Sequence, residues 1–79
     1  MGTCSRLVSR GARVHTAVFR QLSLATCSKA CERQLRAADE SLDVAVKAAR
    51  RGHCRALGAA VVRAERHVRA ARLAARGSR

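Results

Sequence analysis

Residues 29–51, KACERQLRAADESLDVAVKAARR, lead through Gly52 into residues 53–76, HCRALGAAVVRAERHVRAARLAAR, and these two stretches decide the fold. In the first, Cys31, Leu35, Ala38, Leu42, Ala45 and Ala49 recur at spacings of 4, 3, 4, 3 and 4, with Val46 beside them. That spacing draws one apolar seam along a helix of 3.6 residues per turn. Glu32, Arg33, Arg36, Asp39, Glu40, Asp43, Lys47, Arg50 and Arg51 take the opposite face. Ser28 is placed to cap the start, and Arg50 and Arg51 suit the negative end of the helix dipole. Two acid-before-base pairs, Glu32 with Arg36 and Asp43 with Lys47, support the exposed side.

The second stretch repeats the seam: Cys54, Leu57, Val61, Ala64, Val68, Ala71 and Ala75 follow at spacings of 3, 4, 3, 4, 3 and 4. Gly52 between them is the residue type that ends a helix in the left-handed conformation. An all-α fold follows, with the two helices closed as an antiparallel hairpin on Leu35, Ala38, Leu42, Ala45, Leu57, Val61 and Val68. The alternative is one long helix bent at Gly52 and paired with a second copy as a coiled coil. The weak point is the start of the second helix, where His53 and Cys54 are poor caps.

Upstream, residues 1–28 carry Arg6, Arg10, Arg13 and Arg20 and no acid, the first carboxylate being Glu32. On a helix, Leu7, Val8, Ala12, Val14, Val18, Phe19 and Leu22 fall within an arc of about 160°, and the four arginines gather within roughly 80° on the other side. An Arg-rich, Ser-rich, acid-free amphipathic segment resembles a mitochondrial presequence. That resemblance implies an import receptor for the apolar residues Leu7, Val18, Phe19 and Leu22, and a membrane potential acting on the four charges. The opening Met1-Gly2-Thr3-Cys4 also looks like the start of a dually acylated protein, but Arg6 stands where that motif asks for Ser or Thr.

The three segments differ in charge. Residues 1–28 carry four bases and no acid, residues 29–51 six bases against four acids, and residues 53–76 six against one. The whole chain of 79 residues stands at +12, with 17 basic and five acidic side chains. Such a field recruits polyanions, so the expected partners are an anionic protein surface, RNA or acidic lipid. The expected contact is the arginine stripe of the second seam's outer side: Arg55, Arg63, Arg66, Arg69, Arg72 and Arg76. A non-specific nucleic-acid binder in nucleus or nucleoid is the runner-up, and its single aromatic residue excludes base stacking of the single-strand kind. Arginine excess is also what an unselected GC-rich reading frame produces. Its proline codons would give roughly four prolines at a usage of about 5%, whereas this chain has none.

Four cysteines, Cys4, Cys27, Cys31 and Cys54, without a secretory signal read as thiols of a reducing compartment. Cys27-x3-Cys31 resembles one half of the twin motif of the small Tim chaperones of the mitochondrial intermembrane space, which pair two such motifs across a hairpin. The second half is absent, and in a hairpin Cys54 would lie about 30 Å from Cys31. Zinc binding by Cys27, Cys31, His53, Cys54 and His67 meets the same geometric objection. Cys31, Leu35, Ala38, Glu40 and Leu42 resemble the groove-binding death-motif helix of pro-apoptotic Bcl-family proteins, departing from it at the small Ala38 and at Asp39.

No nucleophile elbow, phosphate-cradling glycine loop or converging carboxylate pair stands in the sequence, so neither enzymatic activity nor a cofactor is expected. His15, His53 and His67 read as surface residues. The longest apolar run, Leu57 to Val62, is far short of the roughly 20 residues that span a bilayer. The sequence thus predicts a non-enzymatic helical protein delivered to mitochondria. Fused to a fluorescent reporter, residues 1–28 should carry it into mitochondria, and a diffuse or nuclear signal would remove the targeting reading.

Overall fold

The structure, a computed structural model, describes residues 4–24 and 26–77, the last two as helix backbone alone. Gly2 of the acylation-like start and the Arg76 side chain therefore lie outside the described residues. Three helices follow one another: α1 (Ser5–Leu22), α2 (Lys29–Arg50) and α3 (Cys54–Gly77). They form an up-down-up bundle of 47 × 15 × 14 Å.

The hairpin of α2 and α3 is its centre. Leu35, Ala38, Leu42 and Ala45 of α2 meet Leu57, Ala60, Val61, Ala64, Val68 and Ala71 of α3, and all are buried. Small side chains at these positions let the two backbones approach closely, and Leu35, Val61 and Cys31 are the largest side chains fully enclosed. On the outer edge of the seam, His67 Nδ1 and Gln34 Oε1 lie 2.8 Å apart and join the two helices by a hydrogen bond. The bent single helix is thereby excluded, because the chain reverses fully at Gly52.

Each end of α2 is held by backbone chemistry. At its start the Cys31 N–H donates to Ser28 Oγ at 3.1 Å. At its end Gly52 adopts φ +72°, its N–H donates to the Ala49 carbonyl at 3.0 Å, and the His53 N–H donates to Ala48 at 2.9 Å. This is the paired closure of a left-handed helix stop. Of the two ion pairs expected along α2, Lys47 and Asp43 meet at 3.4 Å, both well exposed. Glu32 and Arg36 form no ion pair.

Onto this hairpin α1 packs with one narrow face. Val14 and Val18 are buried, and Leu7 and Ala17 are partly covered. Gly11 faces Val61, Gly58 faces Leu7, and Arg10 reaches Glu65, so residue numbers rise together along α1 and α3 and the two helices run parallel. The apolar arc of α1 is wider than the face the hairpin covers. Val8, Phe19 and Leu22 stay exposed on the flank toward α2.

The expectation of free thiols is corrected. Cys4 is bonded to Cys54 and Cys27 to Cys31, with Cα separations of 5.5 and 5.2 Å. The first bond became possible because parallel packing brings the starts of α1 and α3 together, a contact that a hairpin alone does not contain. It also holds the start of α1, where Cys4 itself occupies the cap position without a capping hydrogen bond. Chain-entropy reasoning gives about 4 kcal/mol for closing its 50-residue loop and about 2 kcal/mol for the four-residue loop of Cys27–Cys31. In the small Tim chaperones the motif cysteines bond across a hairpin; here Cys27 and Cys31 bond within the motif.

A Cβ added at Gly52 would meet nothing within 4 Å, so substitution there costs torsional energy alone. Gly52→Ala should lower the unfolding free energy by roughly 1–2 kcal/mol, and Gly52→Asn by less, in urea denaturation at fixed redox state.

Candidate anion-binding groove

An arginine row at positions 6, 10, 13 and 20 lies on the flank of α1 opposite its exposed valine, phenylalanine and leucine, because spacings near 3.6 return to one side. Parallel docking turns that flank toward α3. There Glu65, Arg69 and Arg72 project from the matching side. Between the helices runs a groove of about 460 Å³, with Val14, Ala17 and Val68 as its floor and Arg10, Arg13, Arg69 and Arg72 along its walls. It continues into a wider hollow of about 770 Å³ lined by Arg13, Arg20 and Arg72 together with Thr16, Gln21 and Leu24.

One carboxylate serves this groove. Glu65 accepts two hydrogen bonds from Arg10, from Nε to Oε2 and from Nη2 to Oε1, each 2.6 Å long. The hydrogen bond, and then the charge of Glu65, hold the Arg10 guanidinium above its already high ordinary pKa. Arg10 is thereby committed to α3. Among the described residues no carboxylate comes within ion-pair distance of Arg13, Arg20, Arg69 or Arg72. Arg13, Arg69 and Arg72 then line the apolar-floored groove and Arg20 the hollow that continues it, an arrangement suited to a phosphate or carboxylate chain lying along both.

The structure divides the expected residues differently from the sequence. Arg69 and Arg72, read from the α3 stripe, and Arg10, Arg13 and Arg20, read as targeting residues, come together in the groove. Arg55, Arg63 and Arg66 are exposed on α3 and line neither hollow, and Arg6 lies exposed one turn before Arg10. Leu7 is half-buried and Val18 buried, whereas Phe19 is 62% exposed and Leu22 is exposed as well. All seven residues expected to pack the helices, Leu35, Ala38, Leu42, Ala45, Leu57, Val61 and Val68, are buried. The anchors of the death-motif resemblance, Cys31, Leu35, Ala38 and Leu42, are among the core residues and do not form an open face.

His15, edge-on to Phe19 at 5.2 Å, lines a hollow of about 330 Å³ between α1 and α2 together with Arg36, Asp39 and Glu40. His53 and Asp43 are exposed elsewhere. Among the described residues no three His, Cys, Asp or Glu side chains converge as metal ligands would, and no helix is long and apolar enough to cross a membrane. A further hollow beside α1, of about 420 Å³, is walled chiefly by apolar residues, Leu7, Val8, Leu42 and Val46 among them.

The sequence kept the two arginine rows apart because nothing in either periodicity says which flank of α1 meets α3. The signal that could have joined them is the cysteine placement, since Cys4 and Cys54 stand at the starts of the two arginine-bearing helices. No known protein family, curated protein or solved structure matches the chain.

Glu65→Gln removes the groove's one carboxylate and releases Arg10. The variant should melt at a lower temperature than the parent yet bind a polyanion more tightly, with the salt dependence of log affinity steeper by about 0.7–0.9. Weaker binding together with weaker folding would show that Glu65 serves the site and does not oppose it.

Proposed function

We propose that this chain is a small, non-enzymatic helical protein that binds an anionic partner in the arginine groove between α1 and α3. The observation that carries the reading is the set Arg13, Arg20, Arg69 and Arg72, four guanidinium groups gathered from two helices with, among the described residues, no carboxylate within ion-pair distance, the groove's Glu65 being engaged by Arg10. Gathering like charges opposes folding, and a bound polyanion removes that opposition. An anionic protein surface, RNA and acidic lipid all offer the required oxygens. For RNA the groove would hold phosphates without reading bases, because Val14, Ala17 and Val68 on its floor offer no aromatic ring to stack on.

We further propose mitochondria as the destination, with residues 1–28 as the address. Import acts on extended chains, so the docking of α1 in the folded protein does not compete with its recognition beforehand. Because α1 supplies half of the groove, the segment is retained after delivery in this reading. A nuclear or nucleoid nucleic-acid binder is the second reading, favoured by the same unneutralised charge.

Titration with a single-stranded oligonucleotide or with heparin across 50–300 mM salt tests the groove. If four arginines meet anionic groups, the log–log slope on the single strand should lie at roughly −3, and Arg13→Gln/Arg72→Gln should reduce it by about half. A slope near zero, or one untouched by the double substitution, would remove the groove as the binding site.

A further inference from the structure

The groove exists only while α1 lies beside α3, and few contacts keep it there. α1 gives the core two wholly buried side chains of its helix, Val14 and Val18, while Val8, Phe19 and Leu22 remain outside. Among the described residues one ion pair, Arg10 with Glu65, crosses from α1 to α3. Against it stand Arg13 and Arg20 facing Arg69 and Arg72, charges of one sign on both walls. The connection of residues 23–28 ties the end of α1 to α2. Its start has one covalent tie, the Cys4–Cys54 bond, beside the packing of the half-buried Leu7 against Gly58.

We infer that the Cys4–Cys54 disulfide is a redox latch on α1: oxidised, it holds α1 against α3 and assembles the groove; reduced, it releases α1 and takes the groove apart. The functional consequence rests on the anion-binding reading, whereas the latch itself does not. A dithiol is the reductant class required. Its thiolate attacks one sulfur of the bond, of which Cys54 belongs to the more open residue, giving a mixed disulfide and the thiolate of the other cysteine, which takes up a proton. The second thiol of the reductant then displaces Cys54 as a thiol, so two electrons and two protons enter the protein and the reductant leaves as a disulfide. Cys27–Cys31 spans four residues at the start of α2 and joins no two helices of the bundle, so its reduction leaves α1 in place. After release the hairpin keeps its own seam from Leu35 to Ala71, and Arg13 and Arg20 no longer face Arg69 and Arg72.

Amide hydrogen exchange resolved by helix, run on the full chain with and without dithiothreitol, reads the latch directly. Exchange in α1 should accelerate at least tenfold on reduction while the centres of α2 and α3 stay protected. Cys4→Ser/Cys54→Ser should behave as the reduced protein in either condition, and Cys27→Ser/Cys31→Ser should switch as the parent does. Heparin affinity followed in parallel should fall about tenfold with the release, its salt slope moving toward that of two arginines. Unchanged α1 exchange on reduction overturns the latch. So does loss of protection in all three helices together, since the bond would then hold the whole fold and not the docking of one helix. Should α1 switch while the oxidised protein shows no salt-dependent binding, the latch stands and the anion-binding reading fails.

Discussion

Small side chains along the contact between α2 and α3 set the terms for everything else in this molecule. Alanine at positions 38, 45, 60, 64 and 71 allows close approach, but each contributes one methyl group to the core, and burial returns about 0.8 kcal/mol per carbon of this kind. Leu35, Leu42, Leu57 and Val61 supply most of the remaining apolar area. A two-helix hairpin of this composition leaves a long side of its seam uncovered. Its third layer, α1, answers that deficit with Val14 and Val18, and the bond from Cys4 to Cys54 limits the freedom of the unfolded chain.

The same economy explains why α1 has two characters. Its inner face is cut to fit a hairpin of small residues, with Gly11 against Val61 and Leu7 against Gly58. Its flanks diverge: exposed Val8, Phe19 and Leu22 toward α2, arginines toward α3. An isolated helix with those flanks is what a presequence resemblance describes, and a docked one is a wall of the groove. No conflict arises between the two, because they belong to different states of the chain. An undocked α1 helix exposes the whole apolar arc; in the bundle only its α2-side portion stays exposed.

What could be read from the residues follows from how local each feature is. The helices over 29–51 and 53–76, the Ser28 cap and the turn at Gly52 depend on periodicity and on contacts within a few positions, and the structure has α2 at Lys29–Arg50, α3 at Cys54–Gly77 and a positive φ at Gly52. The hairpin follows from two seams and a short connection. The orientation of α1 is a different kind of fact. It has a wide apolar arc, any part of which satisfies amphipathicity, and the choice is made by which portion fits between α2 and α3. The Cys4–Cys54 bond and the merging of the arginine rows depend on that choice, which no periodicity encodes; Cys27–Cys31 is local, four residues apart, but the helical pattern does not mark it as a bond. The poor cap at His53 and Cys54 was visible in the sequence; that Cys54 is bonded to Cys4 was not, since the two positions lie 50 residues apart.

The groove works against the fold that builds it, and this bears on how the protein would behave with a partner present. Four guanidinium groups facing one another raise the free energy of the docked state, and Glu65 relieves that for Arg10 alone. A ligand that binds the docked arrangement and not the released one stabilises it by RT ln(1 + [L]/Kd), about 2.7 kcal/mol at a concentration a hundred times Kd. That is comparable with what three or four buried methylenes supply to a core of this type. Ligand and disulfide therefore act on the same equilibrium, the position of α1, and each makes the other's task easier: a bound polyanion keeps Cys4 beside Cys54, and the closed bond keeps the two arginine walls together. An electrostatic penalty left unneutralised in the protein is thus the physical means by which, under the proposed function, an anionic partner and the redox state would be coupled.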